Sequence, residues 1–164
     1  MTDDRSWQQG TALLSEQAIS RRVFRSLVFH FLYAQEAYDY QEPLSEIIAT
    51  FNKGYDLDIS PNGDIAMMVQ SIADQREELD TEIKPILANW RLDRLGCVTL
   101  IILRIGLWEL KNSKTPVNIV INEAVELAKC FAEQDAYKFI NGILDQLSAK
   151  LHLVDGSEPV EAIE

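Results

Sequence analysis

Apolar residues recur along most of this chain at the three- and four-residue spacing of amphipathic helices. A polar start, Met1 to Gly10, is followed by Ser15, which we predict caps a helix running to about Tyr38. Further helices are predicted to begin near Pro43 and Asp64, and to span residues 91–111, 117–131 and 135–151. No segment alternates with a period of two for long enough to require a sheet. The pattern therefore predicts an all-α protein of six or seven helices.

The most apolar segment, Cys97 to Leu110, is interrupted by two charged residues, Arg104 and Glu109. A helix that is apolar on nearly every side is usually buried, so we expect this helix at the centre of the domain. The segment is shorter than the roughly 20 apolar residues of a membrane span, and the N-terminus lacks the pattern of a secretory signal. We therefore expect a cytoplasmic protein that has no membrane partner.

Length and composition fit one globular domain, because 47% of the 164 residues are apolar and 25% are charged. We expect residues 15–152 to form a single helical domain. Residues 1–14 are predicted to be a flexible extension, and residues 153–164 an acidic disordered tail.

The charge is unevenly distributed. The net charge is −11, which argues against a free-standing nucleic-acid binder because phosphates need Lys and Arg. Residues 41–89 carry ten acidic and three basic side chains, whereas residues 90–130 carry four acidic and six basic ones. Such a chain could bind a basic partner on one face and an anionic partner on another.

Enzyme motifs are absent: the sequence contains no phosphate-binding glycine loop, no nucleophile elbow and no HExxH pattern. His30 and His152 lie far apart and are interpreted as partly exposed, non-catalytic residues. Cys97 and Cys130 lie on apolar helical segments without metal-ligand spacing, so we expect reduced thiols in the core. We predict no catalytic residue, no metal and no cofactor.

One helical face combines cations with aromatic rings. Arg22, Arg25, Phe29 and Tyr33 are spaced by three, four and four residues, and Arg21 lies at the edge of their face. Guanidinium groups bind phosphates and aromatic rings stack on unpaired bases, so this face is a candidate RNA site. The alternative is a solvated basic helix end with Phe29 and Tyr33 packed on a neighbour.

A second group lies near the C-terminus and comprises Asp135, Lys138, Phe139, Asn141 and Gly142. A glycine inside a helix costs about 1 kcal/mol relative to alanine, so Gly142 predicts a close helix contact. The alternative is a purely structural crossing point.

Two long segments resemble the NusB family of bacterial transcription antitermination factors. They are the run from Val120 to Lys129 and the run from Lys138 to Asp145, which follows Asp135. Arg21, Arg22, Arg25, Leu32 and Tyr33 likewise resemble the arginine-rich first helix of that family, which ends in Leu-Tyr. The likeness extends from about Ser20 to Leu147, although the middle of the chain matches only in helical character.

The resemblance implies an all-helical fold of two small bundles. It also implies binding of boxA-type RNA together with NusE, a small-subunit ribosomal protein, in a complex with RNA polymerase and other Nus factors. Some members self-associate, so a homodimer is an alternative state. The implied RNA contacts are those of Arg21, Arg22, Arg25, Tyr33, Asp135, Lys138 and Phe139.

This chain departs from the family pattern in ways that affect its charge. About twenty residues precede the arginines, and Val23 and Phe24 make the basic cluster thinner. An acidic run in the middle of the chain could steer the basic partner, although a solvated face is its alternative interpretation. That run consists of Asp74, Glu77, Glu78, Asp80 and Glu82. Two further functions remain open: a protein scaffold with little RNA binding of its own, and an in-trans accessory to an RNA-modifying enzyme.

Overall fold

Seven α-helices make up most of the structure, a computed structural model that describes residues 13–151. They are α1 (Arg21–Ala37), α2 (Leu44–Tyr55), α3 (Asp64–Asp74), α4 (Arg76–Ile83), α5 (Cys97–Asn112), α6 (Val117–Phe131) and α7 (Ala136–Lys150). Short 3-10 turns cover Glu16–Ala18, Lys84–Leu87 and Leu92–Arg94. Two strands, β1 (Leu14–Ser15) and β2 (Leu57–Asp58), pair in parallel. The prediction of an all-α protein is confirmed.

Helix α1 packs on both α2 and α3, and α5, α6 and α7 pack on one another. The two groups meet where α5 contacts α1 and α4, which gives the arrangement of two sub-bundles. The side chains of Ile102, Leu103 and Leu107 are completely buried, so α5 lies at the centre as predicted. None of the helices within residues 13–151 is both long enough and apolar enough to span a membrane.

Helix α1 begins later than predicted. Ser20, rather than Ser15, caps it, because the Ser20 hydroxyl accepts a hydrogen bond from the backbone N–H of Val23 at 3.2 Å. Ser15 instead pairs with Asp58 in the two-stranded sheet. The neighbouring Glu16 carboxylate accepts hydrogen bonds from two backbone N–H groups, that of Ser60 in the loop before α3 and that of Ile65 in the first turn of α3. The residues before α1 are therefore tied to the loop between α2 and α3.

The central helix also begins later than predicted, at Cys97 rather than Arg91, because a 3-10 turn and Gly96 precede it. Both cysteines are free thiols, but they are exposed, so the prediction of core thiols is wrong. Cys97 is the first residue of α5 and Cys130 is the next-to-last residue of α6, and neither end enters the core. His152 and the predicted acidic tail lie outside the described residues, as do Met1 to Gly10.

The close helix contact occurs at a different glycine from the one predicted. A Cβ atom at Gly106 in α5 would lie 2.8 Å from both δ-carbons of Leu144 in α7, whose side chain is completely buried. A Cβ atom at Gly142 would meet nothing within 4 Å, so the expectation of close packing at Gly142 is wrong. Helices α5 and α7 can therefore approach closely at Gly106 because this residue has no side chain.

We predict opposite effects for alanine at these two glycines. Gly106→Ala should lower the free energy of unfolding by about 1–3 kcal/mol, since overpacking forces Leu144 out of its position. Gly142→Ala should raise the stability by up to about 1 kcal/mol, because alanine favours the helix and has room for its methyl group. Urea denaturation of both variants checks this, and equal effects at the two positions would contradict the assignment of the contact.

Candidate nucleic-acid interface

Arg25 is part of the protein interior. Its Nε lies 3.1 Å from both carboxylate oxygens of Glu109 in α5, and its Nη2 lies 3.0 Å from Glu109 Oε1. The two side chains are only 5% and 3% exposed. The expectation that Arg25 shares an exposed face with Arg22 is therefore wrong. The physical reason is that Glu109 is buried on α5, and a buried carboxylate requires a charged partner.

Phe29 is also buried, so the prediction that it offers an exposed stacking surface is wrong as well. Its ring stacks on Phe131 at the end of α6, with centroids 4.8 Å apart and planes 9° apart. His30 contacts the same Phe131 ring edge-on at 4.9 Å, and its partial burial lowers its pKa. Burial therefore favours the neutral form of the His30 imidazole. Near this stack, the exposed rings are those of Tyr33 and Phe131, at 46% and 37%.

Arg21 and Arg22 remain at the surface. The guanidinium of Arg21 lies over the ring of Phe24, 4.3 Å from its centroid. Arg22 donates from Nε and Nη2 to the carboxylate of Glu123 in α6, at 3.3 and 3.1 Å, yet its side chain is 66% exposed. The hydrogen bond and the charge of Glu123 raise the pKa of Arg22. Of the three arginines predicted to contact RNA from α1, Arg21 and Arg22 are therefore the two that are accessible.

The second predicted group lies together at the start of α7. Asp135 adopts a left-handed conformation with φ of 69°, directly before the helix. Its carboxylate lies 3.4 Å from Lys138 Nζ, and both side chains are about two-thirds exposed. The Nζ atoms of Lys129 and Lys138 lie 5.2 and 5.8 Å from the ring centroid of Tyr137. Phe139 is half-buried.

Helix α6 connects these two groups. Its residue Glu123 pairs with Arg22, its last residue Phe131 stacks on Phe29, and residues 132–135 lead directly to α7. Sequence analysis missed Phe131 because its spacing resembles that of the buried residues of α6. The position of Phe131 at the very end of the predicted helix was the signal that could have indicated its partial exposure.

The acidic run of α3 and α4 is divided between structural and exposed residues. Asp80 receives two hydrogen bonds from Arg104 at 2.8 Å, and Glu82 pairs with Lys111, so both tie α4 to α5. The charges of Asp80 and Glu82 are therefore balanced within the fold, which weakens the expectation that these two residues steer a partner. Asp74, Glu77 and Glu78 are exposed.

A groove between α1 and α2 was not anticipated. It is lined by Tyr33, Tyr38, Ile47 and Phe51, among others, and Glu46 is among its polar residues. Tyr38 is 57% exposed. Tyr33 thus borders both this groove and the face that carries Arg22.

The two arginines of α1 should respond differently to alanine. Arg25→Ala leaves Glu109 as a buried, unpaired charge, so it should lower the free energy of unfolding by about 3–5 kcal/mol. The matched control is Arg22→Ala, whose exposed pair with Glu123 should contribute little. Urea denaturation measures both. Equal stability of Arg25→Ala and the unmodified protein would contradict a structural role for the buried pair.

Comparisons with known proteins agree with this architecture. The NusB family model matches residues 21–149. The transcription antitermination protein NusB of Staphylococcus haemolyticus (strain JCSC1435) is 40% identical over 132 residues, which cover 79% of this chain and 99% of that protein. The NusB of Staphylococcus carnosus (strain TM300) is 37% identical over 131 residues, covering 79% and 100%.

Solved structures of NusB proteins are also similar to this chain. T. maritima NusB has a TM-score of 0.69 and 30% identity, over 80% of this chain and 92% of that chain. A crystal structure of the antitermination factors NusB and NusE in complex with dsRNA has a TM-score of 0.66 and 29% identity, over 79% and 96%. Since the family model and these relatives all span the seven-helix body, the chain belongs to the NusB family.

Proposed function

We propose that this protein is a transcription antitermination factor. It binds boxA-type RNA of ribosomal RNA leader transcripts together with NusE, and it helps RNA polymerase resist termination. The observation that carries the proposal is the likeness over four-fifths of the chain to a NusB crystallised with NusE and dsRNA. We place the activity in the cytoplasm, as part of a complex with RNA polymerase and other Nus factors, and we propose no catalytic step.

The RNA surface that we propose combines exposed cations with exposed rings. Arg21 and Arg22 are placed for phosphate contacts, and Lys138 supplies a further charge at the start of α7. Tyr33 offers a partly open ring, on which an unpaired base can stack. Asp135 forms an exposed ion pair with Lys138, and Phe139 is the residue that follows Lys138 in α7. Unpaired bases expose their faces, so single-stranded RNA is the form that this surface favours.

Charge supports a shared binding site. A net charge of −11 opposes the approach of RNA, and the acidic side chains near the arginines are not screened at the roughly 8 Å Debye length of physiological salt. The exposed acids Asp74, Glu77 and Glu78 favour a basic partner such as a ribosomal protein. A docked basic protein would reverse the local field and add phosphate contacts of its own.

A titration of single-stranded boxA-type RNA into the chain, alone and with NusE, tests the proposal. We expect at least about tenfold tighter binding with NusE, because each phosphate contact that NusE adds releases further counterions. Arg22→Ala should weaken binding to any RNA sequence. It should also reduce the magnitude of the slope of log K against log salt concentration, called the salt slope below, by about one. Lys53→Ala, which removes an exposed cation from α2, is the matched control and should change neither quantity.

Two results would contradict parts of the proposal. RNA binding by the isolated chain as tight as by the heterodimer would remove the argument for a shared site. NusE binding without any RNA binding by the heterodimer would favour the protein scaffold, the alternative that the acidic charge first suggested.

A further inference from the structure

Trp90 is an exposed indole beside the start of α7. It follows the 3-10 turn Lys84–Leu87, and its backbone N–H donates to the carbonyl of Leu87 at 2.9 Å. The turn itself packs against α7, and Leu87 is buried there. The Trp90 side chain, in contrast, is 62% exposed. A turn that is anchored by the buried Leu87 thus places a large aromatic ring at the surface.

Phe139 is the aromatic neighbour of Trp90. The two ring centroids are 5.9 Å apart and the planes are inclined by 61°, so the rings meet edge to face. In this arrangement the two rings do not cover each other face to face. With most of its surface exposed, the indole keeps a face open for another flat ring. The pair is therefore an incomplete aromatic cluster to which a third ring can be added.

Basic residues lie near this pair, on a chain whose net charge is negative. Lys84 and Arg91 line the same shallow pocket as Trp90, and Lys138 precedes Phe139. Two of these cations have carboxylate partners, because Arg91 pairs with Asp93 at 2.7 Å and Lys138 pairs with Asp135 at 3.4 Å. Both of these ion pairs are well exposed, so their cations remain accessible to a competing anion.

The local charge has the opposite sign to that of the whole protein. Residues 84–94 carry three basic side chains, Lys84, Arg91 and Arg94, and one acidic side chain, Asp93. The net charge of this segment is therefore positive, within a chain whose net charge is −11. An exposed indole with positive neighbours fits a ligand that combines flat bases with anionic phosphates better than it fits a basic protein surface.

We propose that Trp90 is a further RNA-contacting residue, whose indole stacks on an unpaired base next to Phe139 while Lys84 and Arg91 contact the flanking phosphates. This inference rests on the proposed RNA-binding function and extends its surface from α7 to the connection between α4 and α5. This end of the surface recognises an unpaired base rather than a duplex backbone.

The test is RNA binding by the full chain with NusE, using single-stranded boxA-type RNA and the variants Trp90→Ala and Trp90→Phe. Trp90→Ala should weaken binding about tenfold and leave the salt slope unchanged, because stacking releases no counterions. Trp90→Phe should restore most of the affinity. Lys84→Ala and Arg91→Ala should each reduce the salt slope by about one. Tyr55→Ala, which removes a 71% exposed ring from α2, is the matched control and should have no effect.

Two further readouts separate stacking from a structural role. Shortening the RNA by one nucleotide at a time from each end should abolish the Trp90→Ala penalty when the stacked base is removed. Tryptophan emission should be quenched by RNA in the unmodified complex, and this quenching should be smaller in Trp90→Phe. A mere loss of stability would produce neither pattern.

The outcomes distinguish this inference from the proposed function. If the unmodified complex binds RNA and Trp90→Ala binds it equally well, the inference is overturned and the function stands. If the unmodified complex binds no RNA, the proposed function fails, and the inference fails with it. If Trp90→Ala weakens association with NusE but leaves RNA affinity unchanged, this surface contacts protein, which also overturns the inference.

Discussion

Two charges on the central helix have to be neutralised inside the protein, and the arrangement of the surrounding helices follows from this constraint. Arg104 and Glu109 both lie on the otherwise apolar α5 and are both buried. Burying a charge without a partner costs several kcal/mol, so each takes a partner from another helix. Glu109 pairs with Arg25 of α1, and Arg104 pairs with Asp80 of α4. These contacts fix how α1 and α4 lie against α5.

The same constraint determines which residues reach the surface. Arg25 points toward Glu109 of α5, whereas Arg22, at the exposed start of the same helix, meets Glu123 of α6. One turn after Arg25, Phe29 is buried and stacks on Phe131. The predicted stripe of cations and rings on α1 is therefore divided between two roles. Arg25 and Phe29 hold α1 against its neighbours, whereas Arg22 and Tyr33 remain exposed.

Helix positions could be predicted from the sequence wherever a local signal marks an end. The start of α3 at Asp64 and the span of α6 from Val117 to Phe131 agree with the prediction, because glycine or proline precedes each of them. The start of α1 could not be predicted in this way. Ser15 and Ser20 are equally good caps locally, and only the pairing of β1 with the distant β2 distinguishes them.

The candidate site could be predicted only in part. Arg22 and Lys138 are exposed as expected, whereas the burial of Arg25 and the pairing of Asp80 depend on which residues α5 presents to α1 and α4. Helical spacing describes one helix and contains no information about its neighbour. Trp90 was missed for a related reason, since its exposure depends on how the turn before it packs against α7.

The most direct test of this account replaces the buried pair by apolar residues and measures RNA binding. In the double variant Arg25→Met/Glu109→Leu, both charges are removed together, and such replacements are often neutral or stabilising. With NusE present, we expect this variant to remain folded and to bind single-stranded boxA-type RNA with unchanged affinity and unchanged salt slope. A folded double variant whose salt slope falls by about one would show that Arg25 contacts a phosphate, and it would contradict the account.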